Sequence, residues 1–368
     1  MVIFNYSSLL LILEMPGPRK KMRIAVQRSE TDTRSDPGRR DERMRRKHIY
    51  SILTLIISLL ACTLCLELYV RVVIDDGKQY DLEMWKYARD LKRIAANPLI
   101  GHEHVPNSGA HLMGVDVKIN SRGLRDREIP YERGPSLRRI LMLGDSITEG
   151  WGVPFDETFA KRIERLSATH SPAIEVINAG VGNYNTIMEV EYFLQEGHKY
   201  QPDIVVLNYF INDAEPVPSY SSVNFLRRNS YSCAFISGRI DILMRQLSAR
   251  PDWFNYYLNL YGNGDTRGWL EAKASIHKLA DYCRLHHVKV LIAIIPELHD
   301  VQHYRFGKIT DIVHRTAEEN GVEFLDLLPA LEREESSRLW VTRSDLHPNS
   351  YAHELIAGTL FQKLETIR

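Results

Sequence analysis

Three short stretches carry side chains suited to chemistry. Ser146 closes Gly144-Asp145-Ser146, Asn212 opens Asn212-Asp213, and His347 sits in Ser344-Asp345-Leu346-His347-Pro348-Asn349. A serine hydroxyl becomes nucleophilic when a base takes its proton, most often a histidine oriented by a third group. Asp345, two residues before His347, is placed to hold Nδ1, fixing the tautomer and leaving Nε2 for a hydroxyl. Pro348 confines the His347 backbone to extended values. Each piece alone has a plainer reading. A serine after Gly-Asp commonly caps the next helix, Asp-x-His-Pro commonly leads into one, and most of the fourteen histidines are expected at the surface.

Acyl transfer also needs hydrogen-bond donors aimed at a tetrahedral oxyanion, from backbone N–H groups or an Asn amide. Asn178-Ala179-Gly180-Val181-Gly182-Asn183-Tyr184-Asn185-Thr186 is rich in small, turn-forming residues that let backbone approach closely. The surrounding pattern would gather all these stretches. Ile140–Leu143 is a short apolar run, suited to a buried parallel strand, that Gly-Asp-Ser breaks. Further strand candidates are Ile174–Asn178, Ile204–Tyr209, Val288–Ile295 and Val322–Leu327. Helices are expected over Thr158–Leu166, Thr186–Glu196, Trp269–Leu285, Phe306–Glu319 and Ser350–Thr366. Alternating strands and helices imply an α/β fold, a parallel five-stranded sheet covered on both faces. The expected order is the doubly wound, flavodoxin-like 2-1-3-4-5, whose ligands bind at the carboxyl ends of the strands. Every candidate stretch falls at that edge.

In this order and spacing, the stretches resemble the four signature blocks of the SGNH hydrolases, also called GDSL esterases/lipases, over residues 138–368. The resemblance implies a serine ester hydrolase that needs no metal or cofactor. Ser146 would be the nucleophile and His347 the general base. Oxyanion donors would be the Ser146 N–H, a backbone N–H of the second block and the Asn212 side chain. Asn120 to Asp126 resembles the lead-in of membrane-tethered bacterial members. Three departures stand out. The family commonly has its Asp three residues before the His; here that position is Ser344, and Asp345 takes the role. The glycine that usually donates in the second block aligns with Asn183, preceded by Gly182; Asn tolerates positive φ, so the donor is expected to survive as the Asn183 N–H, and the Gly182 N–H is counted with it in the expected oxyanion hole. Phe210 replaces the usual Gly two before the Asn, which would narrow the acyl pocket. The resemblance implies removal of an acyl group, such as acetyl, through an acyl-serine. Transfer of the acyl group to a cell-surface polysaccharide would use the same residues, and an inactive glycan-binding or scaffold domain is the non-enzymatic alternative. The partner would accordingly be an acyl-ester small molecule or an acylated glycan.

The rest of the chain bounds the setting. Its 368 residues are 44% hydrophobic and 26% charged with zero formal net charge, which excludes a generally nucleic-acid-binding chain. Residues 1–48 are expected to be disordered and basic, with Met22 or Met44 as alternative starts. Ile49–Leu66 is 18 residues without a charge, and apolar residues continue to Ile74. Residues 49–74 thus read as a single membrane-spanning helix. The basic flank keeps the N-terminus cytoplasmic and puts the hydrolase domain on the periplasmic side of a bacterial inner membrane. Leu59-Leu60-Ala61-Cys62 faintly resembles a lipoprotein cleavage site, but the apolar residues beyond favour an anchor. Asp76 to Asn97 reads as a helix leading from the membrane, and 98–135 as an irregular cap with a small hairpin. Residues 214–268, rich in Tyr, Arg and Asn, read either as a lid over the site or as a surface subdomain. No Cys/His spacing fits zinc. Cys62 and Cys65 lie in the apolar run, and Cys233 could pair with Cys283 in an oxidising compartment.

Overall fold

The structure, a computed structural model, describes residues 37–134, 137–168, 172–218, 225–247 and 252–367. The chain divides into two compact units, Met1–Ala61 and Cys62–Arg368. Helix α1 (Pro37–Tyr69) accounts for the described part of the first and runs on into the second, where a π-helical turn follows at Val70–Ile74. Asp41–Ile74 is long and apolar enough to cross a membrane, and none of its most apolar stretch is buried. Residues 1–36, including Met22, lie outside the described residues. Residues 37–48 correct the sequence reading: they are helical, not disordered. Arg, Lys and Glu are strong helix formers. A Glu42–Arg46 pair one turn apart adds support, and the apolar run behind supplies the nucleus.

After the π-helical turn comes α2 (Tyr80–Asp90), shorter than the helix expected over 76–97. Chain past Leu91 leaves the helix because Lys92–Ile94 (β1) pairs antiparallel with His102–His104 (β2). Pro98 closes off helix between them. Gly109–Leu112 (β3) and Val115–Lys118 (β4) form the expected small hairpin, with positive φ at Met113 and Gly114 in its turn.

From Leu137 the chain alternates. In order come β5 (Leu137–Gly144), α3 (Ser146–Glu149), α4 (Phe159–Leu166), β6 (Ala173–Gly180), α5 (Thr186–Gln195) and β7 (Ile204–Tyr209). The segment read as a lid or subdomain then supplies α6 (Phe225–Asn229), α7 (Tyr231–Leu247) and α8 (Trp253–Tyr261). The chain closes with α9 (Arg267–Leu285), β8 (Lys289–Ile294), α10 (Gly307–Asn320), β9 (Glu323–Asp326), α11 (Leu328–Leu331), β10 (Trp340–Thr342), β11 (Asp345–Pro348) and α12 (Ser350–Thr366). The sheet order is β6-β5-β7-β8-β9, parallel throughout, which is the doubly wound 2-1-3-4-5 arrangement.

Alternation along each strand feeds two cores. Leu141, Leu143, Ile177, Leu207 and Ile292 pack with Phe193 of α5 and Leu279 of α9 on one face. Ile140, Met142, Val176, Val206 and Leu291 pack with Ile163 of α4 and Leu360 of α12 on the other. With both faces covered, polar loops at the carboxyl edge are where the sheet can do chemistry. All four cysteines are free, so Cys233 and Cys283 are not paired. Burial pushes the Cys283 thiol up to about 12.

Candidate active site

Ser146 follows directly on β5. Asp145 caps α3, its Oδ1 accepting the Ile147 N–H at 2.8 Å, so the Ser146 N–H starts the helix without an intramolecular acceptor among the described residues. Backbone approaches are tight here. A Cβ at Gly144 would collide with Thr148 Oγ1, and one at Gly180 would collide with the Glu149 N. Glycine at both positions lets α3 tuck between the ends of β5 and β6.

The β10–β11 hairpin and the cap of α12 deliver the histidine. Asn349 Oδ1 accepts the Ala352 N–H at 3.0 Å, while its Nδ2 donates to the Arg338 and Trp340 carbonyls. Ser146 Oγ then lies 2.8 Å from His347 Nε2, and His347 Nδ1 lies 2.5 Å from Asp345 Oδ1. Oδ2 of the same carboxylate accepts Trp151 Nε1–H at 2.8 Å. The sequence reading did not pick out Trp151. Burial works to raise the Asp345 carboxyl, but the His347 ring, its N–H bonds and Trp151 outweigh it and hold the group below the usual range. An ionised, twice-anchored carboxylate keeps the proton on Nδ1 and leaves Nε2 open to the serine proton. Rings of Tyr80 and Trp151 flank His347 at 6.1 and 6.2 Å between centroids.

The second block is built differently. Val181–Asn183 turns sharply, with Asn183 in the left-handed region at φ +66°. Its N–H has no intramolecular acceptor among the described residues. The Gly182 N–H corrects the sequence reading of this loop: it donates to Tyr87 Oη at 2.9 Å and so is not available to a substrate. Tyr87 is fully buried, and its hydroxyl also contacts Glu149 Oε2 at 2.8 Å and His104 Nε2 at 2.7 Å. On the carbonyl side, Gly182 O accepts from Lys92 Nζ and lies 2.9 Å from His102 Nε2; Lys92 also donates to Asn183 Oδ1 at 3.0 Å. Thus α2, β1 and β2 hold both the N–H and the carbonyl of Gly182, and with its carbonyl the peptide that carries the Asn183 N–H.

The charges under that clasp are balanced locally. Burial works to raise Glu149, but His104, Arg125 and Tyr87 hold it below its ordinary value. Burial pulls the Lys92 ammonium down to about 7 against the opposing pull of Glu149 and Asp145. Arg125, in the 120–126 lead-in, is buried and donates to the Glu149, Gly150 and Val153 carbonyls, fixing the chain after the serine. Asp126 accepts the Asn178 N–H at 2.9 Å and pairs with Lys161.

The third block ends β7. Asn212 is buried at the carboxyl edge, next along the sheet from Ser146. Asp213 beside it accepts from Thr186 Oγ1 and the Phe210 N–H. Burial, reinforced by repulsion between neighbouring carboxylates, raises Asp213 and Glu189 strongly and pushes Asp145 up to about 6. Phe210 is half-buried and packs on both cores. Tyr256 of α8 donates to Glu215 Oε1 at 2.9 Å, so this part of the insertion borders the site. Among the described residues, no group of three or more His, Cys, Asp or Glu is arranged to hold a metal ion.

Residues 142–355 match the GDSL-like Lipase/Acylhydrolase family, and the chain belongs to it. It is an ester-hydrolysing enzyme of SGNH type. No curated protein matches the chain. Solved structures similar to it include TesA, at 13% identity and TM-score 0.42, with 63% of this chain and 100% of that one covered. A catalytic mutant of the acetylxylan esterase Axe2 from Geobacillus stearothermophilus has 14% identity and TM-score 0.40, covering 62% and 94%. The psychrotrophic esterase EstA from Pseudoalteromonas sp. has 15% identity and TM-score 0.40, covering 62% and 97%.

Proposed function

We propose that the enzyme cleaves acyl esters through an acyl-serine on Ser146. The observation that carries this reading is the continuous contact from Ser146 Oγ to His347 Nε2 and from His347 Nδ1 to Asp345. His347 takes the hydroxyl proton as Oγ bonds to the ester carbonyl carbon. The oxyanion that forms is met by the N–H groups of Ser146 and Asn183 and by the Asn212 side chain. Collapse breaks the bond to the alcohol, which leaves with the proton from His347. Water then adds to the acyl-serine, again giving a proton to His347, and the acid departs as the bond to Ser146 Oγ breaks and His347 returns the proton to that oxygen. A short acyl group such as acetyl is the proposed load, because the rings of Tyr80 and Trp151 flank His347 and Phe210 stands two residues before Asn212 in place of the usual glycine. Full-length enzyme in detergent should release p-nitrophenol from the acetate ester faster than from the dodecanoate, and Ser146→Ala should release none. Equal activity in Ser146→Ala would overturn the mechanism.

For the setting, α1 is proposed as a single-pass anchor with a cytoplasmic basic N-terminus and residues 75–368 on the far side, as cap and hydrolase domain. A C-terminal alkaline phosphatase fusion should be active in a bacterial host; an inactive fusion with a cytoplasmic reporter lit instead would reverse the orientation.

A further inference from the structure

The insertion after β7 carries two faces with different partners. Helix α7 turns one face to α2: Gly238 lies against Asp81, where an added Cβ would sit 3.1 Å from that side chain, and Arg239 pairs with Asp81. Its other face is an apolar stripe in the open. Ile236, Ile240, Leu243 and Met244, spaced i, i+4, i+7 and i+8, are 39%, 54%, 52% and 50% exposed. Elsewhere in this unit, away from the anchor and the insertion, exposed large apolar residues such as Ile94, Leu166 and Leu270 lie on separate elements, β1, α4 and α9, as on any soluble surface.

The start of α7 is tied to the end of the apolar helix. Glu67 is the first charge after the uncharged run Ile49–Leu66. Its carboxylate accepts from Ser230 Oγ, the Tyr231 N–H, the Ser232 N–H and Ser232 Oγ at 2.8, 2.9, 2.9 and 2.8 Å. An anion at a helix N-terminus also complements the helix dipole. Arg71 donates to the Asn229 carbonyl at 3.0 Å and stacks 4.2 Å over the Tyr231 ring. Trp85 donates to the Arg227 carbonyl at 2.9 Å. These bonds hold α6 and α7 at the level where the apolar span meets its first charge. Leu68, Val72 and Val73, in the same stretch as Glu67 and Arg71, are exposed as well. Phe225 is 78% exposed, with Arg227 and Arg228 exposed beside it, the pairing of apolar wedge and cation that suits an anionic lipid surface.

We propose that the α7 stripe, with Phe225, lies in the surface of the bilayer that α1 crosses, so that the enzyme stands on its membrane by an interfacial helix as well as by its anchor. The inference rests on the reading of α1 as membrane-spanning. In this arrangement the insertion serves twice, with α8 bordering the site and α7 fixing the height of the domain above the lipid.

A photoreactive benzoylphenylalanine placed at position 243, 57 or 285 of the full chain, reconstituted in phosphatidylethanolamine/phosphatidylglycerol vesicles, separates the cases after irradiation and mass spectrometry. Lipid adducts are expected at 57 and 243, with the yield at 243 about tenfold above that at 285 or more. Adducts at 57 but none at 243 would overturn the interfacial helix and leave the anchor standing. Protein cross-links at 243 in place of lipid would assign the stripe to a second copy or another protein and equally overturn it. No adduct at 57 would remove the anchor and the proposal together.

Discussion

The two halves of the site are stabilised in opposite ways. The Ser146, His347 and Asp345 side is assembled by short-range rules: a strand end, a two-residue step from Asp to His, and a capped helix after it. Trp151, just past the serine, anchors the Asp345 carboxylate. The proposed oxyanion side is held from a distance. Gly182 and Asn183 are clasped by Tyr87, Lys92 and His102, some eighty to ninety-five positions earlier in the chain. One half therefore depends on a proton path and the other on a cap that keeps a single peptide aimed. Damage to the first should remove chemistry without unfolding; damage to the second should weaken chemistry and stability together.

The largest effect is expected on the proton path. Asp345→Asn should lower kcat by about 10³- to 10⁴-fold, since the amide no longer holds the Nδ1 proton, with little change in KM for p-nitrophenyl acetate. A loss under tenfold would show that Asp345 does not orient His347. On the clasp, Tyr87→Phe strips one hydroxyl from Gly182 N–H, Glu149 and His104. It should cost about 1–3 kcal/mol of stability and reduce kcat by about tenfold to a hundredfold, as read by thermal melts and steady-state rates. Unchanged kcat with lowered stability would make the cap purely structural.

Lys92→Gln is milder, roughly three- to tenfold in kcat, and its pH dependence is the sharper test. Lys92 is drawn down to about 7, so its positive charge beside the oxyanion loop is present below that pH and lost above it. The ratio of wild-type to variant kcat should therefore shrink as pH rises from 6 to 8, and a flat ratio would show that the Lys92 charge does not act on the loop.

Asp145→Asn has the smallest expected effect on the comparison and concerns stability. Burial pushes this carboxyl up to about 6, and its Oδ2 has no hydrogen-bond partner among the described residues. A raised carboxyl favours the folded state least where it must be ionised. The wild type thus loses stability as pH climbs from about 4 to about 6, by up to about 3 kcal/mol. The variant's gain in melting temperature should be larger at pH 8 than at pH 5, and an equal gain at both would contradict the role given to burial.

The same division governs what could be read from the sequence. The five strands and their order were legible, because apolar runs at the right spacing leave one arrangement that covers both faces. Ser146, Asp345 and His347 were legible as local motifs, and Asn183 as the residue that accepts φ +66° in place of glycine. The clasp was not. Lys92–Ile94 and His102–His104 are three-residue strands with no periodicity to detect, and the helix expected over 76–97 covered all of Lys92–Ile94. Nor could any pattern show that the Gly182 N–H is spent on Tyr87, since that bond joins residues 95 apart. The one available signal was the buried acid in Ser146-Ile147-Thr148-Glu149: a carboxylate one turn after a candidate nucleophile needs partners from elsewhere in the chain. At the other end, residues 37–48 read as polar and unstructured because their own composition does not show that the apolar helix behind them, itself legible, extends back through them.

The central claim is that Ser146 itself carries the acyl group. Treating the full-length enzyme with a fluorophosphonate and mapping the adduct by peptide mass spectrometry tests this directly. A single adduct on Ser146 is predicted, formed in parallel with loss of esterase activity and abolished in His347→Ala; an adduct on another residue, or full activity with Ser146 unlabelled, would contradict it.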